Sequence, residues 1–542
     1  MKIQGLPRPD FAEVSFLIVE DFDAMRNILR EILSRAGARH IDFAASGDVA
    51  LAMLEKHRYD AVLCDLHLGH GKNGQQVLEE ARLRRLVAAH AVWLMVSSEK
   101  TSEMVMGTVE TRPDDYLVKP ITETLLFTRL QRQIEKKKAL APIEQAMRDH
   151  EYLKALNLAE LQLAEPTPHT WDLKRLKSEL ALFTGDLELA RAVFEEALSQ
   201  RDLPWARLGL ARIMFQEGDM VQACQHLQLV AGGSRAYLDA HDLLARTQEG
   251  LGNLAGAQEV LERALAISPH SAARQCNLGD VASRRGDLET AARAYQRGIE
   301  LARATPQIST APYLGLARVH LARDESGEAA KAIGRLRADM KTDSTAQLLA
   351  RVMEIPIRLK TGGERSARRV LDDLASELRD AAQQLPPELI FDLAGPLTQL
   401  GDTETADALF SSLLANHHEH PEYAARVQAH YNETGREEAG VRLVATATKA
   451  ALEIMNKGVR LSREGKLDEA LSLLREARHK MPGNPRLLLN HAYLLIAYME
   501  QRGRDLSLVN EALDCIQTAR RQRPHDKRSG ELLARLEMVG TV

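Results

Sequence analysis

Asp65 stands directly after the apolar run Ala61 to Cys64, and three other polar groups end apolar runs elsewhere in the chain. Glu20-Asp21 follows Ser15 to Val19, Ser97-Ser98 follows Val92 to Val96, and Lys119-Pro120 follows Tyr116 to Val118. One acid after an apolar run means little. Four such runs predict parallel strands that bring carboxylates, a hydroxyl and an amine to one edge of a sheet. In open α/β sheets that carboxyl edge is where ligands bind. Asp21 and Asp65, with Glu20 beside them or acting through water, are ligands of the kind Mg²⁺ takes: one or two carboxylates, completed by waters and phosphate oxygens.

The elements that must hold these groups alternate between residues 14 and 130. Short apolar runs are separated by longer amphipathic stretches, the rhythm of βαβ units. Strands are predicted at Val14 to Val19, Ile41 to Ala44, Ala61 to Cys64, Ala91 to Val96 and Tyr116 to Val118. A first helix is predicted from Ala24 to Ala36, ended by Gly37, and a second begins at Ser46-Gly47-Asp48. A last amphipathic helix is expected over 121 to 137.

This four-part arrangement resembles the receiver domain of two-component response regulators. The separations fit as well: Asp21 to Asp65 is 44 residues and Ser97 to Lys119 is 22. The resemblance implies a flavodoxin-like, doubly wound parallel sheet of five strands in which Asp65 is the phospho-acceptor. It implies that Glu20, Asp21, Asp65 and the backbone carbonyl of His67 hold Mg²⁺. Ser97 would hydrogen-bond the phosphoryl group, Lys119 would form an ion pair with it, and Tyr116 would be the switch aromatic. The donor of the phosphoryl group would be a sensor histidine kinase or a phosphotransfer protein. The chain departs from the family in its long, glycine-rich loop Leu66 to Gly74, and in Arg112-Pro113 where Gly-Ala is usual. His67 and His70 read as loop histidines facing water. The loop is no P-loop, because no helix-opening Gly-Lys-Ser/Thr follows it.

At 542 residues the chain exceeds what one core supports. Its net charge of −5 gives no electrostatic case for nucleic acid. No apolar window is long enough for a membrane span, and the N-terminal residues lack the apolar core of a signal peptide. Cys64, Cys224, Cys276 and Cys515 are scattered without CxxC spacing and read as reduced thiols in a cytoplasmic protein.

Beyond residue 137 the strand signals stop and a period appears. Gly185-Asp186, Gly218-Asp219, Gly252-Asn253 and Gly286-Asp287 are separated by 33, 34 and 34 residues. Five residues after each turn stands an alanine (Ala190, Ala223, Ala257, Ala291), and nine after stands a large apolar residue (Phe194, Leu227, Leu261, Tyr295). Small residues let two helices approach; the bulky one fills the gap to the next hairpin. The pattern resembles the tetratricopeptide repeat, with its terminal proline at Pro269 and Pro482. It stretches at Asp324/Ala329 and Gly362/Ala367, and returns at Gly401/Ala406, Gly435 and Gly465/Ala470; Gly503 marks a last hairpin. Asp149-His150 with Ala155 reads as the turn of a first hairpin.

The organisation expected is a tail (1–13), a receiver (14–137) and an all-α superhelical solenoid of about ten hairpins (138–542). Such an array offers a concave surface to a protein or peptide. Lys136-Lys137-Lys138 reads as the exposed end of the linking helix, and His417, His418 and His420 as a solvated turn. No motif of an output enzyme or of a DNA-binding helix-turn-helix is visible. The chain therefore reads as a response regulator with a protein-binding output, able to form a homodimer through its receiver. The competing reading is a constitutive scaffold or phosphate sink that docks a kinase.

Overall fold

The computed structural model describes residues 11–539 except 70, 85, 89, 99–112, 149–151, 185, 234–236, 270, 304–308, 383–384, 418–420 and 523–526. The chain forms two compact units: residues 1–180 with 188–309, and residues 181–187 with 310–542.

The first unit opens with five parallel strands, β1 (Ser15–Val19), β2 (His40–Ala44), β3 (Ala61–Asp65), β4 (Val92–Ser97) and β5 (Asp115–Val118), in the order β2-β1-β3-β4-β5. Ile18 pairs with Leu63, Asp65 with Val96 and Ser97 with Val118, so the polar strand ends are level along one edge. Between their polar ends β1, β3 and β4 are apolar because both faces are covered. Phe16, Ile18, Leu63, Leu94 and Val96 pack with α1 (Asp23–Arg35), while Leu17, Val19, Val62, Cys64, Trp93 and Met95 pack with α2 (Gly47–Lys56) and α3 (Gly74–Leu83). Edge strand β2 is exposed on alternate residues. The Ser46 hydroxyl caps α2, and Asn73 with Gln76 forms a capping box on α3.

The last helix of the sheet layer does not stop near 137. α4 (Glu123–Arg148) runs for 26 residues, with Pro142 inside it. Leu126, Phe127 and Leu130 complete the sheet's core. Farther along, Leu140, Ile143 and Ala146 are buried beyond the sheet, and Gln162 of α5 (Tyr152–Leu163) donates to the Ala139 carbonyl at 2.9 Å. Lys136 and Lys137 are not a free helix end. Lys137 pairs with Asp114 at 3.1 Å, and Lys136 with Asp172 at 2.8 Å in the first turn of α6 (Thr170–Thr184). One helix thus belongs to both the sheet layer and the first helical hairpin.

Helical hairpins follow. In the first unit they include α7 (Leu187–Gln200), α8 (Pro204–Gln216), α9 (Met220–Gly233), α10 (Leu238–Gly250), α11 (Leu254–Ile267), α12 (Ala272–Arg285) and α13 (Leu288–Ala302). The Gly-Asp and Gly-Asn turns have a definite job. The glycine takes the left-handed conformation that ends one helix (φ +83 at Gly218, +75 at Gly252, +86 at Gly286). The next residue closes that helix with its N–H and caps the following one: Asp287 N–H donates to the Ala282 carbonyl at 2.9 Å, and its side chain accepts from Thr290 N–H at 3.1 Å. The alanines five residues on are buried, as are Phe194, Leu227, Leu261 and Tyr295.

The second unit continues with α14 (Ala311–Ala322), α15 (Ser326–Asp339), α16 (Ser344–Ala381), α17 (Pro387–Gln399), α18 (Thr403–Asn416), α19 (Pro421–Glu433), α20 (Glu437–Arg463), α21 (Leu467–Lys480), α22 (Pro485–Arg502), α23 (Leu506–Gln522) and α24 (Lys527–Met538). Asp324 takes the glycine's place with φ +59, and Lys360 pairs with it. The break within α16 falls at Gly363 (φ +70), one residue later than the spacing to Ala367 suggests. Between Gly435 and Gly465 a single 27-residue helix, α20, packs against both α19 and α21. His417 is half-buried with its ring 5.2 Å from that of Tyr423, so it is not a wholly solvated turn residue; His418 and His420 lie outside the described residues, as do His70 and the Asp149-His150 turn.

Candidate phosphoryl-acceptor site

β1 and β3 run side by side and end together, which sets Glu20 and Asp21 next to Asp65. Ligand oxygens of these three residues lie within 4.8 Å of one another. Glu20 and Asp65 are buried (2% and 7% exposed) and Asp21 is exposed. Lys119 reaches across from the end of β5: its Nζ donates to Asp65 Oδ2 at 2.6 Å and to Glu20 Oε2 at 2.8 Å. Its backbone N–H donates to the Ser97 carbonyl at 2.7 Å, fixing the lysine to the end of β4. Ser97 is fully buried there. The His67 N–H donates to Asp65 Oδ1 at 3.0 Å, while the rest of that residue is exposed. Arg26 donates to the Glu20 carbonyl and pairs with Asp23.

Burial raises the Glu20 carboxyl above the usual glutamate range, with Asp65 adding to the rise and the Lys119 ammonium opposing it. Burial alone would pull Lys119 down, but its bonds to Asp65 and Glu20 outweigh that and raise it. The Cys64 thiol is pushed well above its ordinary value by burial and by the neighbouring Asp65 and Glu20. Its environment makes it a packing group.

The site's charge is its most telling property. Among the described residues, three carboxylates against the Lys119 ammonium leave a formal −2 at an edge lined by oxygen donors. That is the charge and donor set of a hard divalent cation.

Each residue singled out from the sequence has its place. Glu20, Asp21, Asp65 and Lys119 come together, and Ser97 sits one strand away beside the residue paired with Asp65. Tyr116 is half-buried, packed against the core face that carries Trp93 and Met95, opposite Met95 in the ladder. Two features were not foreseen. Glu20 shares Lys119 with Asp65 and so is more than a neighbour of the metal set. Gly74 also matters: a Cβ there would fall 2.1 Å from the Asp65 carbonyl oxygen, so α3 starts hard against the acceptor's backbone. Its spacing from Asp65 was the only signal.

Residues 16–131 match the response regulator receiver domain, and residues 204–228 and 238–271 match tetratricopeptide repeat families. Among curated proteins, chemotaxis protein CheY-3 of Vibrio cholerae is 30% identical over 123 residues, 23% of this chain and 93% of that protein. Chemotaxis protein CheY of Pseudomonas aeruginosa is 28% identical, over 23% of this chain and 98% of that protein. The solved structure of CheY4 from Vibrio cholerae shares 26% identity, covering 22% of this chain and 97% of that one, with a TM-score of 0.21. The chain belongs to the response regulators through its receiver domain, and it carries tetratricopeptide repeats after it.

Proposed function

We propose that Asp65 accepts a phosphoryl group from a sensor histidine kinase or a phosphotransfer protein, and that the helical hairpins convert this event into binding of a protein partner. The observation that carries the reading is Lys119 Nζ at 2.6 Å from Asp65 Oδ2 beside two further carboxylates. An Asp65 oxygen forms the new P–O bond as the donor's N–P bond breaks; the donor ring, protonated on its other nitrogen, keeps the N–P electron pair and leaves as neutral histidine, and Asp65 becomes an acyl phosphate. Lys119, already at that oxygen, pairs with the phosphoryl oxygens, and the buried Ser97 hydroxyl serves as their hydrogen-bond donor. Mg²⁺ held by Glu20, Asp21, Asp65 and the His67 carbonyl would neutralise charge on the transferring group. Nothing in this chemistry turns over a metabolite, so the domain is a switch and not a metabolic enzyme. We place the exchange in the cytoplasm, in keeping with four unpaired cysteines.

The shared helix α4 supports a phospho-dependent output over a passive sink. Asp114 accepts from the Trp93 N–H at 2.7 Å at the start of β4 and pairs with Lys137; the adjacent Lys136 holds Asp172 of the first hairpins. A change at the sheet therefore has a route of hydrogen bonds and ion pairs to the repeats.

The test is acetyl phosphate labelling with Mg²⁺, read by intact mass and peptide mapping. One phosphate on Asp65, lost in Asp65→Asn and on chelation of Mg²⁺, is expected. Label on another residue, or none, refutes the assignment.

A further inference from the structure

The loop from Leu66 to Asn73 is long and carries two left-handed glycines, Gly69 (φ +63) and Gly71 (φ +97). They differ in what they face. A Cβ on Gly69 would lie 3.0 Å from Asp21 Oδ2, whereas one on Gly71 would meet only Asp48 Oδ2, at 3.5 Å. The far end of the loop is pinned: Lys72 pairs with Glu80 at 2.9 Å and Asp48 at 3.2 Å, and its carbonyl oxygen would lie 2.6 Å from a Cβ on Gly47. Glu20 and Asp65 have their positions set by Lys119, whereas the exposed Asp21 carboxylate has no bond to it among the described contacts.

We infer that Gly69 is the positioning residue for Asp21: its side-chain-free, left-handed turn lets the loop close beside that carboxylate and sets how tightly the acidic cluster takes a divalent cation. The inference rests on the reading of the cluster as a cation site.

Calorimetric titration of the full chain with Mg²⁺, paired with thermal melts, tests it in Gly69→Ala, Gly71→Ala and Gly69→Asn. Alanine strains the backbone at either glycine, so both alanine variants lose thermal stability to a similar extent. Only Gly69→Ala places a methyl on Asp21. It is expected to weaken Mg²⁺ roughly tenfold, the scale of a disturbed supporting contact at a metal site, while Gly71→Ala stays near wild type. Asparagine tolerates the left-handed conformation, so Gly69→Asn separates crowding from strain, with less loss of melting temperature and the same loss of affinity. Equal affinities at the two positions, or unchanged Mg²⁺ binding in both Gly69 variants, overturn the inference while leaving the proposed function intact. Absence of Mg²⁺ binding by the wild type overturns both.

Discussion

The Lys119 ammonium lies between two buried carboxylates, and removing it takes from both the counter-charge they share among the described residues. Breaking a buried pair of this kind costs up to about 3–5 kcal/mol; since Lys119 is partly exposed, about 1–3 kcal/mol is expected for Lys119→Ala without metal. The variant should be rescued more strongly by Mg²⁺ than the wild type, because its cluster carries one more negative charge. Melting curves with and without Mg²⁺ check this, and equal metal stabilisation of the two proteins would count against it. Glu20 gives the pH dependence. Its carboxyl is raised by burial, so between the ordinary glutamate range and the raised value the folded, metal-free protein holds a proton that its unfolded chain has released, and metal-free stability declines as pH rises across that window. Mg²⁺ must displace that proton, so its affinity should fall on acidification while the pH is still above the ordinary glutamate range. Glu20→Gln should bind more weakly with a flatter profile. Cys64, buried and raised, should resist maleimide in the native protein and react only after unfolding.

At the scale of elements, the repeats rest on small residues meeting large ones. A Cβ on Gly279 would fall 2.7 Å from the Tyr295 ring, whose hydroxyl is held by Asp280 at 2.6 Å. Gly279→Ala should therefore destabilise by about 1–3 kcal/mol through overpacking. Gly334, in helix α15 with no group beyond its own helix backbone and chain neighbours within 4 Å of a Cβ, should respond oppositely, its alanine variant gaining about 0.5–1 kcal/mol. Denaturant titration of both separates packing from helix propensity. The contrast also shows what could be read in advance. The strand ends carrying Asp65 and Ser97 were legible because apolar runs buried on two faces stop abruptly at polar residues, and Lys119 because the short edge strand before it ends at Val118. The repeats were legible because a left-handed turn followed by a cap leaves Gly-Asp as its trace. The length of α4 was not legible: the lysine run at its midpoint reads as an exposed helix end unless Asp114 and Asp172 are known to face it. Nor was the Gly363 turn, since Gly362 keeps the alanine offset and the two glycines are adjacent. The tie between Glu20 and Lys119 joins residues 99 positions apart and leaves no local pattern.

For the molecule as a whole, the sheet layer and the first hairpins share one compact unit through α4. Lys137 has little exposed surface and bridges Asp114 to Glu144 within it. Lys137→Ala should leave cation binding at the acidic cluster unchanged, yet loosen the second half of α4. Hydrogen exchange across 137–148 would record this as faster exchange, whereas unchanged exchange would argue that apolar packing alone holds the junction. The central claim is that Asp65 takes a phosphoryl group and that the repeats register it. Hydrogen exchange on the full chain with beryllofluoride and Mg²⁺, against Asp65→Ala, tests this most directly. The account predicts protection at the ends of β1, β3 and β5 together with altered exchange in α4 and the first hairpins, all lost in the variant. Protection confined to the sheet edge would contradict the phospho-dependent output, and no protection in the wild type would contradict the acceptor site itself.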